Sequence, residues 1–373
     1  MRYLHIADLH LGKQMNDVSL LEDQEHILSQ ITAYAKDEDV DLVLIAGDVY
    51  QRAAPQAEAM ALFGRFVSGL ADMGRKVFVI SGNHDSDQRI SYFSGLLRQA
   101  NVYMSEVFNG RLQSVQLSDG YGPVRIFMLP FVRAGQVRRY IKDEPTGTTQ
   151  DAVRAVLRQA EEWPEERKIL MCHQFVTGAV TSDSEDLTVG GLDSISVNVF
   201  DGFDYVALGH IHRPQKLGRE TLRYAGSPLK YSFSEAAFDK SAVLVDMGQK
   251  GDVVTRLLPL KPLRDVRLVK GTMRELMAAP YSEDYVWVTV CDELVPPDAR
   301  VTLSVVFPNM LRFSVVNSAT ASDVELTPGR DVGNRSVSEL FDDFYRLQNS
   351  GSEMTPAHRR VLERALRGSE EEK

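Results

Sequence analysis

The chain has 373 residues, 43% of them hydrophobic, which is enough for one large domain with smaller additions. No apolar run reaches about 18 residues, and the N-terminus becomes polar too soon for a signal peptide, so we expect no membrane association. Two cysteines make no disulfide framework, so a cytoplasmic protein is expected. The net charge of −10 does not favour nucleic-acid binding, although dications bound by carboxylates would reverse the local field.

The first half of the chain alternates predicted strands and helices. The strands cover residues 3–7, 42–46, 77–81 and 102–104, and the helices cover 20–36, 57–72 and 92–98. This alternation predicts a mostly parallel sheet with helices on its faces. Two further strands, 114–117 and 124–128, flank a Gly-rich and Pro-containing turn and predict a hairpin.

A second cycle of elements follows. A helix is predicted at 150–162, and strands are predicted at 168–172, 205–208, 243–247 and 253–258. We place the main domain at residues 1–260. Residues 261–318 are predicted to form a small α+β unit, with a helix at 274–277 and strands at 286–291, 301–307 and 311–316.

The last part of the chain is predicted to be a linker and a helical tail. Residues 319–335 are rich in Ser, Asp, Gly and Pro and form the linker, and 336–373 form the tail, with helices at 337–347 and 356–366. Ser336 with Glu339 fits a capping box, and Thr355 before Pro356 fits a helix start. The apolar faces of these helices either pack on the main domain or form a binding surface for a partner protein.

Short motifs of Asp, His, Asn and Gly follow the predicted strands. They are Asp8-Leu9-His10, Gly47-Asp48, Gly82-Asn83-His84-Asp85, Cys172-His173-Gln174 and Gly209-His210-Ile211-His212, followed by Gly226-Ser227-Pro228. Asp8 and His10 are two residues apart, so alternation along a strand would point both side chains the same way. Loops at the carboxyl ends of strands are where open α/β sheets place their sites.

Together the motifs offer seven candidate metal ligands without a thiolate: Asp8, His10, Asp48, Asn83, His173, His210 and His212. Oxygen and nitrogen donors suit manganese, iron or zinc. Two such metals about 3.5–4 Å apart hydrolyse phosphate esters by activating a water and neutralising phosphoryl charge. His84 lies beside a ligand, and we expect it to donate to the phosphate or protonate the leaving oxygen.

Each motif has an ordinary structural explanation when taken alone. Gly-Asp after a strand is usually a turn, and a His-x-His pair is often a surface feature. All five motifs at strand exits, in this order, favour the metal site. His5, in the first predicted strand, is interpreted as a buried structural residue, and Tyr231 and Phe233 as core.

These motifs resemble the calcineurin-like metallophosphoesterase superfamily, and within it the nuclease subunits of bacterial double-strand-break repair complexes. The segments that carry the resemblance are residues 1–12, 46–50, 81–86, 209–212, 224–229 and 232–235. The resemblance covers residues 1–260 well and the remainder more loosely. It implies that residues 261–318 are a capping domain that binds DNA and that the tail at 336–373 binds a partner subunit. It implies a sandwich of two mixed sheets flanked by helices.

The resemblance also implies how the ligands divide. One metal would be held by Asp8, His10, Asp48 and His212, and the other by Asp48, Asn83, His173 and His210. His84 would be the catalytic, non-ligand histidine. Two Mn²⁺ ions are the implied cofactors.

The implied activity is a manganese-dependent nuclease in DNA repair, recombination and replication. It would act on double-stranded DNA ends as an exonuclease and on single strands or hairpins as an endonuclease. The implied partner is a coiled-coil ATPase subunit, with two copies of this chain in a heterotetramer. The chain has no Gly-x-x-x-x-Gly-Lys-Ser/Thr loop of its own, so ATP use would fall to that partner.

Some features leave alternatives open. Arg52 replaces the residue usual after the second motif, and the cluster Arg133, Arg138, Arg139 and Lys142 is either a phosphate contact or a solvated face. The alternative function is a stand-alone metallophosphoesterase, either a cyclic-nucleotide phosphodiesterase or a phosphatase. Such an enzyme has little use for residues 261–366. A non-catalytic scaffold would have lost ligands, and none is lost.

Overall fold

The computed structural model describes residues 1–164, 166–185, 194–318, 341–342, 344–346, 353–356 and 358–362. Contacts divide the chain into two compact units, Met1–Val266 and Arg267–Lys373, and each is described by itself. None of the helices in these described residues is long and apolar enough to cross a membrane. Cys172 and Cys291 are both free thiols.

The strands and helices of the first unit follow the alternation expected from the sequence. The strands are β1 (Arg2–Ile6), β2 (Gln14–Met15), β3 (Val18–Ser19), β4 (Leu42–Ala46), β5 (Lys76–Ile80), β6 (Val102–Met104), β7 (Gln113–Asp119), β8 (Gly122–Leu129), β9 (Arg167–His173), β10 (Tyr205–Gly209), β11 (Gln215–Leu217), β12 (Arg219–Tyr224), β13 (Ser241–Met247) and β14 (Val253–Pro259). The helices are α1 (Leu21–Asp37), α2 (Ala57–Asp72), α3 (Asp87–Ile90), α4 (Ser94–Leu97), α5 (Ala134–Val137) and α6 (Thr149–Leu157). Short 3-10 helices cover Arg98–Ala100, Arg158–Glu162, Val197–Phe200 and Phe233–Glu235.

Two six-stranded mixed sheets form the centre of this unit, as the family resemblance implies. The first has the order β14-β13-β1-β4-β5-β6, and the second has the order β11-β12-β10-β9-β8-β7. In the first sheet β1, β4, β5 and β6 are parallel, β13 is antiparallel to β1, and β14 is antiparallel to β13 at the edge. In the second sheet β8, β9, β10 and β12 are parallel, with antiparallel strands at both edges. The small pair β2–β3, the edge strand β11 and its neighbour β12 were not predicted.

The two sheets pack face to face around a shared apolar core. Tyr3 and Leu44 of the first sheet lie in one cluster with Ile126, Met171 and Ala207 of the second. The opposite face of the second sheet packs against α6, and α1 and α2 pair with each other, with α2 contacting β5. Alternate side chains of each strand therefore serve different layers, which explains why the strands read as continuous apolar runs.

One predicted helix is shorter in the structure. The segment expected to be helical at 92–98 contains the single turn α4 and the first residue of the following 3-10 helix, and α3 is a separate turn before it. Phe93 between α3 and α4 adopts a left-handed backbone with φ of 63°, which ends one turn and starts the next. Tyr92, Phe93 and Leu96 are consequently exposed there.

The second unit contains a three-stranded sheet and two short helices. In chain order these are β15 (Val266–Gly271), α7 (Met273–Met277), β16 (Tyr285–Val290), α8 (Ala299–Leu303) and β17 (Met310–Val315), with the sheet order β15-β16-β17. The strand predicted at 301–307 is wrong, because this segment begins inside α8 and continues as a turn. Ala299, Leu303 and Phe307 are buried at a spacing of four, whereas Val301 and Val305 are 72% exposed. The four-residue period of the buried side chains is that of a helix.

Only parts of the predicted tail lie within the described residues. Residues 341–342, 344–346, 356 and 358–362 are helical. Thr355 Oγ1 accepts a hydrogen bond from the backbone N–H of His358 at 3.3 Å, so the predicted helix start at Thr355 is confirmed. The predicted linker and the capping box at Ser336 lie outside the described residues.

Candidate metal centre

The seven predicted ligands all lie at the carboxyl ends of parallel strands. Asp8 and His10 follow β1, Asp48 follows β4, Asn83 follows β5, His173 ends β9, and His210 and His212 follow β10. Because the two sheets face each other, these ends meet at one edge of the sandwich. All seven side chains are brought together there, across separations of up to 204 residues, from Asp8 to His212.

The loop that carries Asp8 and His10 is not an extended strand. Both residues have positive φ, 55° and 43°, and Asp48 has 47°. The backbone N–H groups of Asp8 and His10 donate to the carbonyls of Gly47 and Asp48 at 3.1 and 2.9 Å. Strand alternation therefore does not explain why Asp8 and His10 share a cluster. Left-handed turns, joined to the neighbouring loop by hydrogen bonds, hold them instead.

Two motif glycines are required by the close approach of the loops. A Cβ at Gly47 would collide with the His173 ring, and Gly47 also has a φ of +90°. A Cβ at Gly82 would collide with the carboxylate and backbone N–H of Asp48. Only glycine leaves room for the ligands at these two positions.

One group of donor atoms gathers around His10. His10 Nε2 lies 3.1 Å from His212 Nε2 and 3.6 Å from Asp48 Oδ2. Donor atoms of Asp8, His10 and His212 all lie within 4.8 Å of one another. These four residues are the first ligand set that the family resemblance implies.

A second group gathers around Asn83. Its Oδ1 lies 3.1 Å from His173 Nε2 and 2.9 Å from His210 Nδ1. His173 Nε2 also lies 3.3 Å from Asp48 Oδ2. The same Asp48 oxygen therefore faces both groups, which is the position of a carboxylate that bridges two cations.

The donor chemistry fits a pair of divalent metal ions. Asp8 Oδ2 and His10 Nδ1 are buried and have no hydrogen-bond partner among the described residues. An orphaned carboxylate oxygen in a dry site is costly unless a cation compensates it. Oxygen and imidazole donors without thiolate are the ligands of manganese, iron or zinc hydrolases.

Burial also sets the protonation of the ligands. It lowers the pKa of His10 well below its ordinary value and that of His210 to about 3, so both imidazoles are neutral and able to ligate. Burial raises the pKa of Asp8. It would lower the pKa of His173, but the Asp48 carboxylate outweighs burial and raises that pKa to about 9. A cation bound beside Asp48 would therefore compete with the proton of His173.

His84 lies at the rim of the first group. Its backbone N–H donates to Asp48 Oδ1 at 2.9 Å, and its Nδ1 lies 3.3 Å from the carbonyl oxygen of Gln51. The His84 and His10 ring centroids are 4.8 Å apart. Donor atoms of His84, His10 and Asp48 also lie within 4.8 Å of one another, so the non-ligand role of His84 stays a prediction.

Several residues that support the ligands were not predicted as site residues. Asp85 accepts hydrogen bonds from the N–H groups of Gly82, Val49 and Tyr50 at 2.9–3.0 Å, which joins the second and third motif loops. Because Asp85 belongs to the Asn-His-Asp motif, its supporting role could have been predicted from the sequence. Gln24, in α1, donates to the Leu9 and His10 carbonyls at 3.2 and 2.8 Å, and no sequence pattern marks it.

Three further residues, His5, Tyr231 and Phe233, are part of the buried core, as expected from the sequence. His5 is fully buried and bonded to the Tyr205 hydroxyl at 2.9 Å, and Tyr231 and Phe233 are buried, which confirms their structural roles. In the basic cluster, Arg138 donates to the Thr146 carbonyl and Lys142 to the Arg138 carbonyl.

Known protein families and curated proteins are similar to this chain over almost its whole length. The profile of the calcineurin-like phosphoesterase family matches residues 1–214, and that described as the type 5 capsule protein repressor C-terminal domain matches residues 262–349. A curated protein from Staphylococcus epidermidis, named as the D subunit of the nuclease SbcCD, is 32% identical over 357 residues, covering 93% of each chain. A protein of the same name from Staphylococcus saprophyticus is 29% identical and covers 98% of each. A solved dimetal phosphatase from Danio rerio is 10% identical and has a TM-score of 0.42, covering 70% of this chain and 96% of its own.

Proposed function

Because the chain belongs to the calcineurin-like phosphoesterase family, we propose that it is the metal-dependent DNA nuclease subunit of an SbcCD-type complex. The complete set of seven ligands around Asp48 is the observation that carries the catalytic part of this proposal. The two staphylococcal relatives, named as SbcCD nuclease subunits and similar over nearly the whole chain, support the choice of DNA as substrate.

We assign two divalent ions, most simply Mn²⁺, to the two groups of donors. Asp8, His10, Asp48 and His212 would hold one ion, and Asp48, Asn83, His173 and His210 the other. When bound, the pair supplies an activated water and neutralises charge on the phosphoryl oxygens. His84 stands at the rim, with Nδ1 turned to the Gln51 carbonyl, so we assign its Nε2 as the nitrogen that donates to the substrate.

A polar cavity is lined in part by Gln51, whose carbonyl oxygen lies 3.3 Å from His84 Nδ1, and it offers room for the nucleotides next to the scissile phosphate. Its volume is about 330 Å³, and it lies between the loops that follow β1 and β4. Lys13 and Arg52 supply positive charge, and Gln14 and Gln56 supply amide groups. Arg133 lies on the other side of the centre, over the Phe131 ring, which stacks with the ring of His210. These cations offset the acidic net charge where the DNA backbone would run.

The remaining chain is assigned to DNA and partner binding. We propose that residues 261–318 cap the DNA and that residues 336–373, beyond the linker 319–335, bind an SbcC-type coiled-coil ATPase. Phe341, Phe344 and Val361 in the described part of the tail are 40–68% exposed, which suits helices that bind a partner. The exposed Tyr92, Phe93 and Leu96 offer an apolar patch for a second copy in a heterotetramer.

The proposal is tested by cleavage assays of the purified chain with Mn²⁺. Linear duplex DNA, single-stranded DNA and bis-p-nitrophenyl phosphate are offered side by side, with Asp48→Ala as the inactive control. DNA cleavage that disappears in the control is the expected result. Turnover of the small diester without DNA cleavage, even after the ATPase partner is added, would instead favour the stand-alone phosphodiesterase.

A further inference from the structure

His212 is assigned as a metal ligand through Nε2, and its other ring nitrogen, Nδ1, faces away from the donor atoms around His10. Its Nδ1 lies 2.6 Å from Ser184 Oγ, and Ser184 Oγ lies 2.5 Å from Glu235 Oε1. His212 and Glu235 are almost completely buried. The three side chains form one continuous chain of hydrogen bonds that ends at the metal centre.

The direction of each hydrogen bond between His212, Ser184 and Glu235 follows from the number of hydrogens that each side chain can donate. Glu235 Oε2 lies 2.5 Å from the buried ammonium of Lys240, so Glu235 is an ionised carboxylate that only accepts hydrogen bonds. Ser184 has a single hydroxyl hydrogen, which it donates to Glu235. The serine oxygen must then accept the Nδ1–H of His212, and Nε2 is left with its lone pair toward His10.

A neighbouring serine does not change this assignment. Ser182 Oγ lies 2.9 Å from Ser184 Oγ and 2.8 Å from Glu185 Oε2. Because Glu185 also offers a carboxylate, Ser182 can direct its hydrogen there. The Ser184 hydrogen remains directed to Glu235.

We propose that Ser184 and Glu235 are positioning residues that fix the tautomer and the direction of His212 for metal binding. This inference rests on the proposed two-metal function and deepens it. Carboxylates that orient metal-bound histidines are common in metalloenzymes, and removing them weakens metal binding by about 10–100-fold. Here a serine stands between the carboxylate and the imidazole.

The surrounding contacts hold the backbone of His212 as well as its ring. The His212 N–H donates to Glu185 Oε1 at 2.8 Å, and its carbonyl accepts from Lys240 Nζ at 2.7 Å and from the Ser227 N–H at 3.1 Å. Lys240 also donates to Ser227 Oγ at 2.8 Å. This gives the Gly226-Ser227-Pro228 motif and the Ser232–Glu235 run a physical role: they support a ligand without touching the metal.

The test compares Mn²⁺ binding by the full chain in three variants. Ser184→Ala removes the hydroxyl that touches His212, Ser184→Thr keeps a hydroxyl, and Ser182→Ala removes a neighbouring hydroxyl that does not touch His212. Titration calorimetry should show two sites in the parent. In Ser184→Ala one site should weaken about 10–100-fold while the other is kept. Ser184→Thr and Ser182→Ala should bind like the parent.

A second readout needs neither metal nor activity. Nitrogen-15 NMR of the metal-free parent, with His212→Gln to assign the signal, should show His212 protonated at Nδ1, and Ser184→Ala should lose this preference. Protonation at Nε2 in the parent would overturn the inference, even if Ser184→Ala failed to fold. So would unchanged Mn²⁺ affinity in folded Ser184→Ala. A parent that binds no Mn²⁺ would instead contradict the proposed function.

Discussion

The Nε2 atoms of His10 and His212 lie 3.1 Å apart, in segments separated by 202 residues. In a metal-free site this contact requires one ring to donate a proton to the other. The Ser184 contact places the His212 proton at Nδ1, so without metal His10 would have to be the donor. A cation between the two nitrogens would accept both lone pairs. We therefore place the first metal ion between the Nε2 atoms of His10 and His212.

The Asp48→Asn variant tests whether one carboxylate serves both groups. The amide keeps the shape of the side chain but removes the charge that faces His10 and His173. We expect weaker binding at both Mn²⁺ sites and a loss of DNA cleavage greater than about 100-fold. Calorimetry and a cleavage assay measure the two effects. Asp72→Asn, at an exposed carboxylate in the last turn of α2, is the matched control, and weakening of only one site would show that Asp48 does not bridge.

The His84→Ser variant separates catalysis from metal binding. His84 is expected to donate a proton to the substrate, so both Mn²⁺ ions should stay bound while hydrolysis falls about 10²–10⁴-fold. Metal content by elemental analysis and initial rates of DNA hydrolysis check these two results, since the alkoxide that leaves from DNA needs a proton. Loss of one Mn²⁺ ion would make His84 a ligand, as its closeness to His10 and Asp48 also permits.

The Arg52→Ala variant tests the polar cavity lined in part by Gln51 as a binding site for DNA. Because we assign Arg52 to the nucleotides rather than to the metals, the KM for DNA should rise while kcat/KM for bis-p-nitrophenyl phosphate stays unchanged. The salt dependence of DNA binding should also fall by about one phosphate contact. Arg111→Ala, at an exposed arginine outside the cavity, serves as the control. Equal losses on both substrates would place Arg52 in the chemistry instead.

A prediction of stability concerns Asp119 and Arg167. Burial would raise the pKa of Asp119, but two hydrogen bonds from the buried Arg167, at 2.5 and 3.1 Å, help to hold it below its ordinary value. A carboxyl with a depressed pKa stabilises the fold above its unfolded-state pKa of about 3.9, and this stability is lost as the pH falls through the folded-state value.

Asp119→Asn should therefore lower the free energy of unfolding at pH 7 by about 1.5–3 kcal/mol. Urea titrations at pH 7, 5 and 3.5 would measure the difference from the parent, which should narrow at the lowest pH. A difference that is the same at all three pH values would show that the carboxylate charge contributes nothing.

Removal of residues 336–373 tests the assignment of the tail. The truncated chain should hydrolyse bis-p-nitrophenyl phosphate with Mn²⁺ as well as the parent does, because the ligands all lie before residue 213. It should no longer bind the ATPase partner in a pull-down or in analytical ultracentrifugation. Partner binding that survives the deletion would move the interface to another part of the chain.

The gathering of the seven candidate ligands at one edge of the sheets was predictable because His, Asp and Asn follow successive predicted strands. Apolar runs such as Leu42–Ala46 also marked the strands, since a strand buried on both faces must be apolar throughout. The run at 301–307 misled the prediction because exposed valines, Val301 and Val305, mask the four-residue spacing of the buried side chains. Its period is visible only once burial is known.

The hydrogen bond that joins Ser184 to Glu235 was not predictable for a different reason, although Glu235 lies in a segment that carries the family resemblance. Ser184 and Glu235 are 51 residues apart, and both are common residue types that form ordinary surface contacts elsewhere. Their role depends on a geometry that folding creates between a loop and a 3-10 helix. The turn at Asp8 and His10 is similar, because its left-handed backbone arises from hydrogen bonds to the loop after β4.

The measurement that tests the two-metal centre most directly is anomalous diffraction from a crystal of this protein soaked in Mn²⁺. We expect two peaks about 3.5–4 Å apart, with Asp48 between them. Asp8, His10 and His212 should surround one peak, and Asn83, His173 and His210 the other. A single peak, or a pair that leaves Asp48 on one side, would contradict the account.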